Sequence, residues 1–173
     1  MPSSYQAPNR KDAESKSTYS QSVTSNVGSD TATVQSILDG KDSGVISIGP
    51  NDTLHDAVKV LSEKRIGALV VTDGDGALTG ILSERDIVRK LAETPGQTLP
   101  QKVSDVMTQK VETCEGGDAL VTVLKKMSDG RFRHLPVVEA GKLVGMITIG
   151  DVVHYRLTEL EHEALQLKQL IVG

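Results

Sequence analysis

The sequence predicts an α/β (α+β) protein made of two tandem β-α-β-β-α motifs, packed as a pseudo-two-fold pair and followed by an extended C-terminal helix. Three observations predict it. The stretch Gly80-Ile81-Leu82-Ser83-Glu84-Arg85-Asp86 returns as Gly145-Met146-Ile147-Thr148-Ile149-Gly150-Asp151: glycine, two apolar residues, a hydroxyl, two variable residues, aspartate. The offset between copies is nearly constant. Val45 and Val111, Leu54 and Leu120, Val58 and Leu124, and Leu61 and Met127 lie 66 apart, while Gly80 and Gly145 lie 65 apart. Finally, Val153, Leu157, Leu160, Ala164, Leu167 and Ile171 step by 4, 3, 4, 3, 4, a helical seam that outruns the repeat.

Taken in order, residues 1–32 are rich in Ser, Thr, Gln and Asn and lack apolar periodicity, which predicts a disordered tail. Val34, Ile37 and Leu38 give one helical turn. Val45 to Ile48 reads as a short strand ended by Gly49-Pro50. Asp52 or Thr53 caps a helix with Leu54, Ala57, Val58 and Leu61 on one face. Gly67 to Thr72 is a continuously apolar strand, Asp73-Gly74-Asp75-Gly76 a hairpin turn, and Ala77 to Leu82 the partner strand. Ser83 opens a helix to about Ala92 with Ile87, Val88 and Leu91 inward, and Pro95-Gly96 ends it.

The order then repeats. Val103, Val106 and Met107 form a short helix, and Lys110 to Thr113 a strand. Leu120, Val123, Leu124 and Met127 line a helix. Leu135 to Val138 and Leu143 to Ile147 pair across Ala140-Gly141, and a helix follows from Asp151. The expected segments are a tail (1–32), a first unit (33–94), a linker (95–102), a second unit (103–158) and a helical extension (159–173). The seam on the last helix fits either an amphipathic helix folded back on its own unit or a dimer contact.

Composition removes several function classes. Net charge is −4, which gives no general drive toward nucleic acid, and aromatics are 2% of the chain, too few for base-stacking platforms. A single cysteine, Cys114, cannot form an internal disulfide and points to a reducing compartment, with the cytoplasm expected ahead of an organelle matrix. No apolar run approaches the roughly twenty residues of a membrane span, and no secretory h-region sits near Met1. The four histidines have no metal-like spacing with Cys114. Neither a Ser-His-Asp arrangement nor a Walker-type loop is present, so no enzymatic activity is expected.

With both copies in register, the chain resembles a tandem pair of cystathionine-β-synthase (CBS) domains. Ile66-Gly67-Ala68-Leu69-Val70-Val71, Ser83-Glu84-Arg85-Asp86-Ile87-Val88 and Gly130-Arg131-Phe132-Arg133-His134-Leu135-Pro136-Val137 look typical of small stand-alone pairs. The resemblance implies two symmetry-related clefts for adenosine ligands: AMP, ADP, ATP or NAD(H), with S-adenosylmethionine a lesser candidate. It also implies a homodimer, a disc of four CBS domains, and control of a partner enzyme or transporter in trans.

The residues agree with that chemistry. A carboxylate can accept hydrogen bonds from both ribose hydroxyls, a role for Asp86 and Asp151. Ser83 and Thr148 would meet ribose or phosphate and cap the helices, whose N-termini favour anions. The plainer reading of both aspartates is helix stabilisation of about 0.3–1 kcal/mol. Ile46, Ser47, Ala68 and Ile81 would hold adenine in the first copy; Val111, Thr113, Leu135, Pro136 and Met146 are their counterparts in the second. Lys64 and Arg65, then Arg131, Arg133 and His134, would receive phosphate, with Arg85 a further cation whose place Gly150 takes in the second copy. The competing readings are a structural dimerisation module with degenerate clefts and an IMP dehydrogenase-related protein.

Overall fold

The computed structural model describes residues 32–41 and 44–172, so the expected tail lies outside the described residues except for Ala32. Helix α1 (Val34–Leu38) comes first. The first copy continues with β1 (Ser47–Ile48), α2 (Leu54–Lys64), β2 (Ala68–Thr72), β3 (Leu78–Ser83) and α3 (Glu84–Glu93). A 3-10 turn, Val103–Asp105, opens the second copy, followed by α4 (Leu120–Gly130), β4 (His134–Glu139), β5 (Lys142–Thr148) and α5 (Ile149–Val172).

Local chemistry accounts for these boundaries. Thr53 and Asp56 form a reciprocal capping box at the start of α2, and Ser83 and Asp86 form the same box at α3. The Asp73 carboxylate accepts N–H bonds from Asp75 (3.0 Å) and Ala77 (2.8 Å) and closes the β2–β3 turn. Ala140 and Gly141 both have positive φ (47° and 77°), as a tight two-residue hairpin turn requires.

Strand order is β1-β2-β3 in the first sheet, with β1 parallel and β3 antiparallel to β2. The second sheet holds only antiparallel β4 and β5. The strand expected at Lys110 to Thr113 does not form. Its four residues include one apolar side chain, and pairing occurs one residue later, where buried Cys114 bridges Val137 in parallel. Likewise β1 is confined to Ser47–Ile48, shorter than the expected Val45 to Ile48.

Several apolar positions expected inward lie outward. Ile87 is buried, but Val88 is 64% and Leu91 42% exposed; Val58 and Leu124 are also more than a third exposed. Each helix covers one sheet face with a narrow stripe, so the flanks of the apolar arc remain outside. The C-terminal seam does not fold back on its own unit. Helix α5 meets the core through Val152 and Tyr155, while Leu157, Leu160, Leu167 and Ile171 are exposed.

The two cores exchange their leading turns. Ala32, Val34 and Ile37, at the start of the first copy in sequence, are buried with Leu120, Val123, Met127, Leu135 and Ile147 of the second. Val103, at the start of the second, is buried with Leu54, Leu61, Leu69 and Leu82 of the first. Mirrored backbone bonds fix the exchange: Val34 N–H to the Asp118 carbonyl (3.0 Å) and Val103 N–H to the Asp52 carbonyl (2.9 Å). The exchange also explains the glycine that opens each repeated stretch. A Cβ on Gly80 would lie 2.6 Å from Met107 Sδ, and one on Gly145 would lie 2.8 Å from Leu38 Cδ2. Each glycine admits the leading turn that comes from the other copy.

Candidate functional site

Two clefts open where the copies meet. Cleft one, about 380 Å³, contains Ile81, Ser83, Arg85 and Asp86 from β3 and α3. Cleft two, about 560 Å³, contains Met146, Thr148 and Gly150 from β5 and α5. Both volumes suit a small organic ligand. The opposite walls cross over. Val111 and Arg131 face Asp86 in cleft one, whereas Ile46 and Arg65 face Thr148 in cleft two. Grouping these residues by copy, as the sequence suggests, is therefore corrected. Each copy's leading segment and the end of its middle helix look across the pseudo-two-fold axis at the other copy's helix start.

A common wall separates the clefts. Gly67, Ala68, Glu84, Arg133 and His134 line both. Gly67 lies close against the ring there: a Cβ would stand 3.3 Å from His134 Cε1. Arg65 and Arg131 occupy mirrored positions at the ends of α2 and α4, both in the left-handed region (φ 54° and 56°). Glycine is the usual residue at such a helix end. An arginine there lines each cleft, Arg131 in cleft one and Arg65 in cleft two, at a backbone cost of order 1 kcal/mol.

Other expected site residues lie elsewhere. Ser47 lines a separate groove with Asp52, Asp56 and Asp73. Lys64 is exposed and lines neither cleft, and Thr113 lies outside both, its carbonyl accepting from Lys126 (3.4 Å). Leu135 is fully buried in the core of the second copy, and buried Pro136 uses its carbonyl to accept the Cys114 N–H (3.1 Å). Alternation along β4 sets Leu135 opposite the cleft-lining His134, and neither Leu135 nor Pro136 lines a cleft.

The carboxylates sit alike on their helices. Asp86 Oδ2 accepts the Ser83 hydroxyl and the Ser83 N–H (3.0 Å). Asp151 Oδ2 accepts the Thr148 N–H (2.7 Å), and the Asp151 N–H returns to Thr148 Oγ1 (3.1 Å). Thr53 and Asp56 repeat this box beside the separate groove. Capping alone therefore does not mark a site; the placement of Asp86 and Asp151 beside clefts with arginines is what sets them apart.

Comparison with known proteins agrees with this architecture. The CBS domain family matches residues 41–93 and 103–158. The chain belongs to the CBS domain family. A mitochondrial CBS domain-containing protein of Arabidopsis thaliana is 32% identical over 154 residues, covering 84% of this chain and 75% of that protein. A CBS-domain containing protein of Agrobacterium tumefaciens has a crystal structure that superposes with TM-score 0.71 at 41% identity, covering 73% of this chain and 94% of that one. Two solved neighbours are described with ligands. One is a CBS domain protein of Pyrobaculum aerophilum complexed with AMP (TM-score 0.63, 26% identity, 69% and 89% covered). The other is a CBS domain pair complexed with 5′-methylthioadenosine and S-adenosyl-L-methionine (TM-score 0.66, 26% identity, 75% and 98% covered).

Within this CBS pair the electrostatics differ by position. Burial lowers the pKa of His134, and nearby Glu84 partly opposes it. Burial also works to raise the Asp151 carboxyl, but hydrogen bonds from Lys41 and Thr148 outweigh it and hold the group below the usual carboxylate range. Burial, with Asp118 adding to it, pushes the Cys114 thiol up to about 11, so it is a packed core residue and a poor nucleophile. Among the described residues no cluster of His, Cys, Asp and Glu could hold a metal ion, and no helix is long and apolar enough to cross a membrane.

Sequence reasoning missed Lys41, Glu84 and Lys110. Glu84 stands inside the repeated stretch, and Lys110 lies next to Val111, so proximity to expected residues was a usable signal for both. Lys41 had none: it reaches cleft two only because α1 packs on the second copy.

Proposed function

We propose that this CBS pair is a non-catalytic sensor of adenosine-containing ligands, namely AMP, ADP, ATP or NAD(H), that controls a partner protein in trans. The observation that carries the reading is the pair of clefts, each joining a helix-start hydroxyl to an arginine from the other copy, with Asp86 lining cleft one and Asp151 bonded to Lys41 of the wall of cleft two. Asp86 and Asp151 accept the ribose hydroxyls. Ser83 and Thr148 meet ribose or phosphate oxygens, and Arg65, Arg85, Arg131 and Arg133 bind phosphate. Ile46 and Met146 in cleft two, and Ile81 and Val111 in cleft one, flank adenine. Ligands in the two CBS neighbours, one with AMP and one with sulfur-containing adenosine derivatives, support the adenosine class. Ligand binding acts on the partner by favouring one relative arrangement of the copies, and its effect is bounded by the ligand's differential affinity for the two arrangements.

The test is calorimetric titration with AMP, ATP, NADH and S-adenosylmethionine in parallel. Micromolar binding of at least one, at one or two per chain, is expected. Absence of binding by all four would favour the second reading, a structural dimerisation module, for which the exposed seam on α5 is the supporting observation. A homodimer fits both readings.

A further inference from the structure

The residue that meets the helix-start carboxylate differs between the clefts. In cleft two, Lys41 Nζ donates to Asp151 Oδ2 at 2.7 Å and to the Met146 carbonyl at 3.2 Å. The pair is partly exposed, with 39% of the lysine and 23% of the aspartate side chain open to solvent. In cleft one the cation nearest Asp86 among the described residues is Arg89, at 4.0 Å from the other carboxylate oxygen. The leading turns repeat at an offset of 69 (Val34 and Val103, Leu38 and Met107), so the counterpart of Lys41 is Lys110, which lines cleft one but forms no ion pair with Asp86 among the described residues. An ammonium thus occupies the carboxylate of one copy, while its counterpart in the other lines the cleft without pairing with the carboxylate.

A ligand that presents a ribose to Asp151 meets an oxygen already bound to Lys41. A neutral nucleoside displaces the ammonium and gives it nothing in return. A cationic sulfonium ligand brings a second positive charge to the same place. A nucleotide carries its own anion, and the lysine stem, a flexible chain ending in a compact charge, can transfer from carboxylate to phosphate. From this exchange, which rests on the adenosine reading above, we propose that Lys41 makes cleft two select 5′-phosphorylated adenosine over adenosine and over S-adenosylmethionine. Cleft one, with no resident cation at this distance, discriminates less. Lys41 follows α1, which is packed on the second copy, and the chain then runs on to β1 of the first, so the transfer takes place on the connection between copies.

The experiment compares AMP and adenosine by calorimetry in the full chain carrying Asp86→Ala, with and without Lys41→Met, which removes the charge and keeps the stem. Lys41→Met should tighten adenosine about twofold to fivefold, the range of a partly exposed ion pair, and weaken AMP about tenfold, as loss of one charge-assisted bond does. Lys41→Arg should keep most of the AMP preference. An unchanged AMP-to-adenosine ratio in Lys41→Met overturns the inference while leaving the sensor reading standing. Absence of AMP and adenosine binding by the unaltered chain overturns the inference, and absence of ATP, NADH and S-adenosylmethionine binding as well overturns both. A ligand-free measurement tests the resident contact itself: the Asp151 carboxyl, followed by carbon NMR, should titrate at higher pH in Lys41→Met, and an unmoved titration also overturns the inference.

Discussion

Cleft one opens its helix with Glu84-Arg85 and cleft two with Ile149-Gly150, and this small difference changes what surrounds two similarly placed aspartates. Around Asp86 the helix start carries its own ions: Glu84 and Arg85 line the cleft, and Arg85 donates to the Arg131 carbonyl at 3.2 Å. Around Asp151 the helix start is apolar or bare, and the cation comes from Lys41, 110 residues away in the chain. A duplicated scaffold keeps the hydroxyl, the carboxylate and the left-handed arginine in both copies, while the ions around them are drawn from different parts of the chain. The repeated motif sets where a hydroxyl and a carboxylate stand in each copy, and the unrepeated neighbours set the charge around them.

The strongest way to break the comparison is to remove one carboxylate at a time. Asp86→Ala and Asp151→Ala should each weaken binding in their own cleft by about ten- to a hundredfold, as loss of charge-assisted hydrogen bonds predicts. Both chains should remain folded, because capping accounts for only about 1 kcal/mol. Site-resolved NMR titration checks it, and equal weakening of both clefts by either variant would falsify their separate roles.

Exchange of the leading turns gives a second, slightly smaller effect. Val34→Ala and Val103→Ala remove fully buried side-chain volume and should each cost about 2 kcal/mol. The losses should appear in opposite copies. Hydrogen exchange in Val34→Ala should quicken most in β4 and β5, and in Val103→Ala most in β2 and β3. If each variant loosened the copy nearest to it in sequence, the exchange of turns would be wrong.

The shared wall gives the smallest effect. Because the folded-state pKa of His134 is lowered by burial, the unfolded chain takes up a proton at a pH where the folded chain does not. Stability should therefore fall as pH drops below about 6.5 toward the folded-state value, by at most about 1.4 kcal/mol per pH unit. His134→Gln should flatten that part of the curve. The same slope in both proteins, measured by urea unfolding from pH 5 to 8, would remove His134 from this role.

Much of this molecule is set by local rules and can be read along the chain. Helix starts at Thr53 and Ser83 follow from capping chemistry, the β2–β3 turn from Asp73, and the register of the copies from the 65- and 66-residue offsets. The seven-residue motif with its hydroxyl and aspartate is equally legible, because the bonds between its own two polar residues span only three residues. Where local signals are weak, the tertiary context decides. Lys110 to Thr113 lacks the apolar side chains that would hold a strand against the sheet, so Cys114 does the pairing. Val88 and Leu91 satisfy helical spacing, yet burial depends on what packs opposite, and little does.

The two copies, their elements and the hydroxyl–carboxylate pairs are written along the chain, because these arise from spacing and from bonds between near neighbours. Only the tertiary structure decided which arginine faces which aspartate, that Gly80 and Gly145 make room for turns from the opposite copy, and that Lys41 rests on Asp151. The leading turn of each copy buries its apolar face in the other core, and spacing along the chain shows that the turns repeat but not which core each one enters.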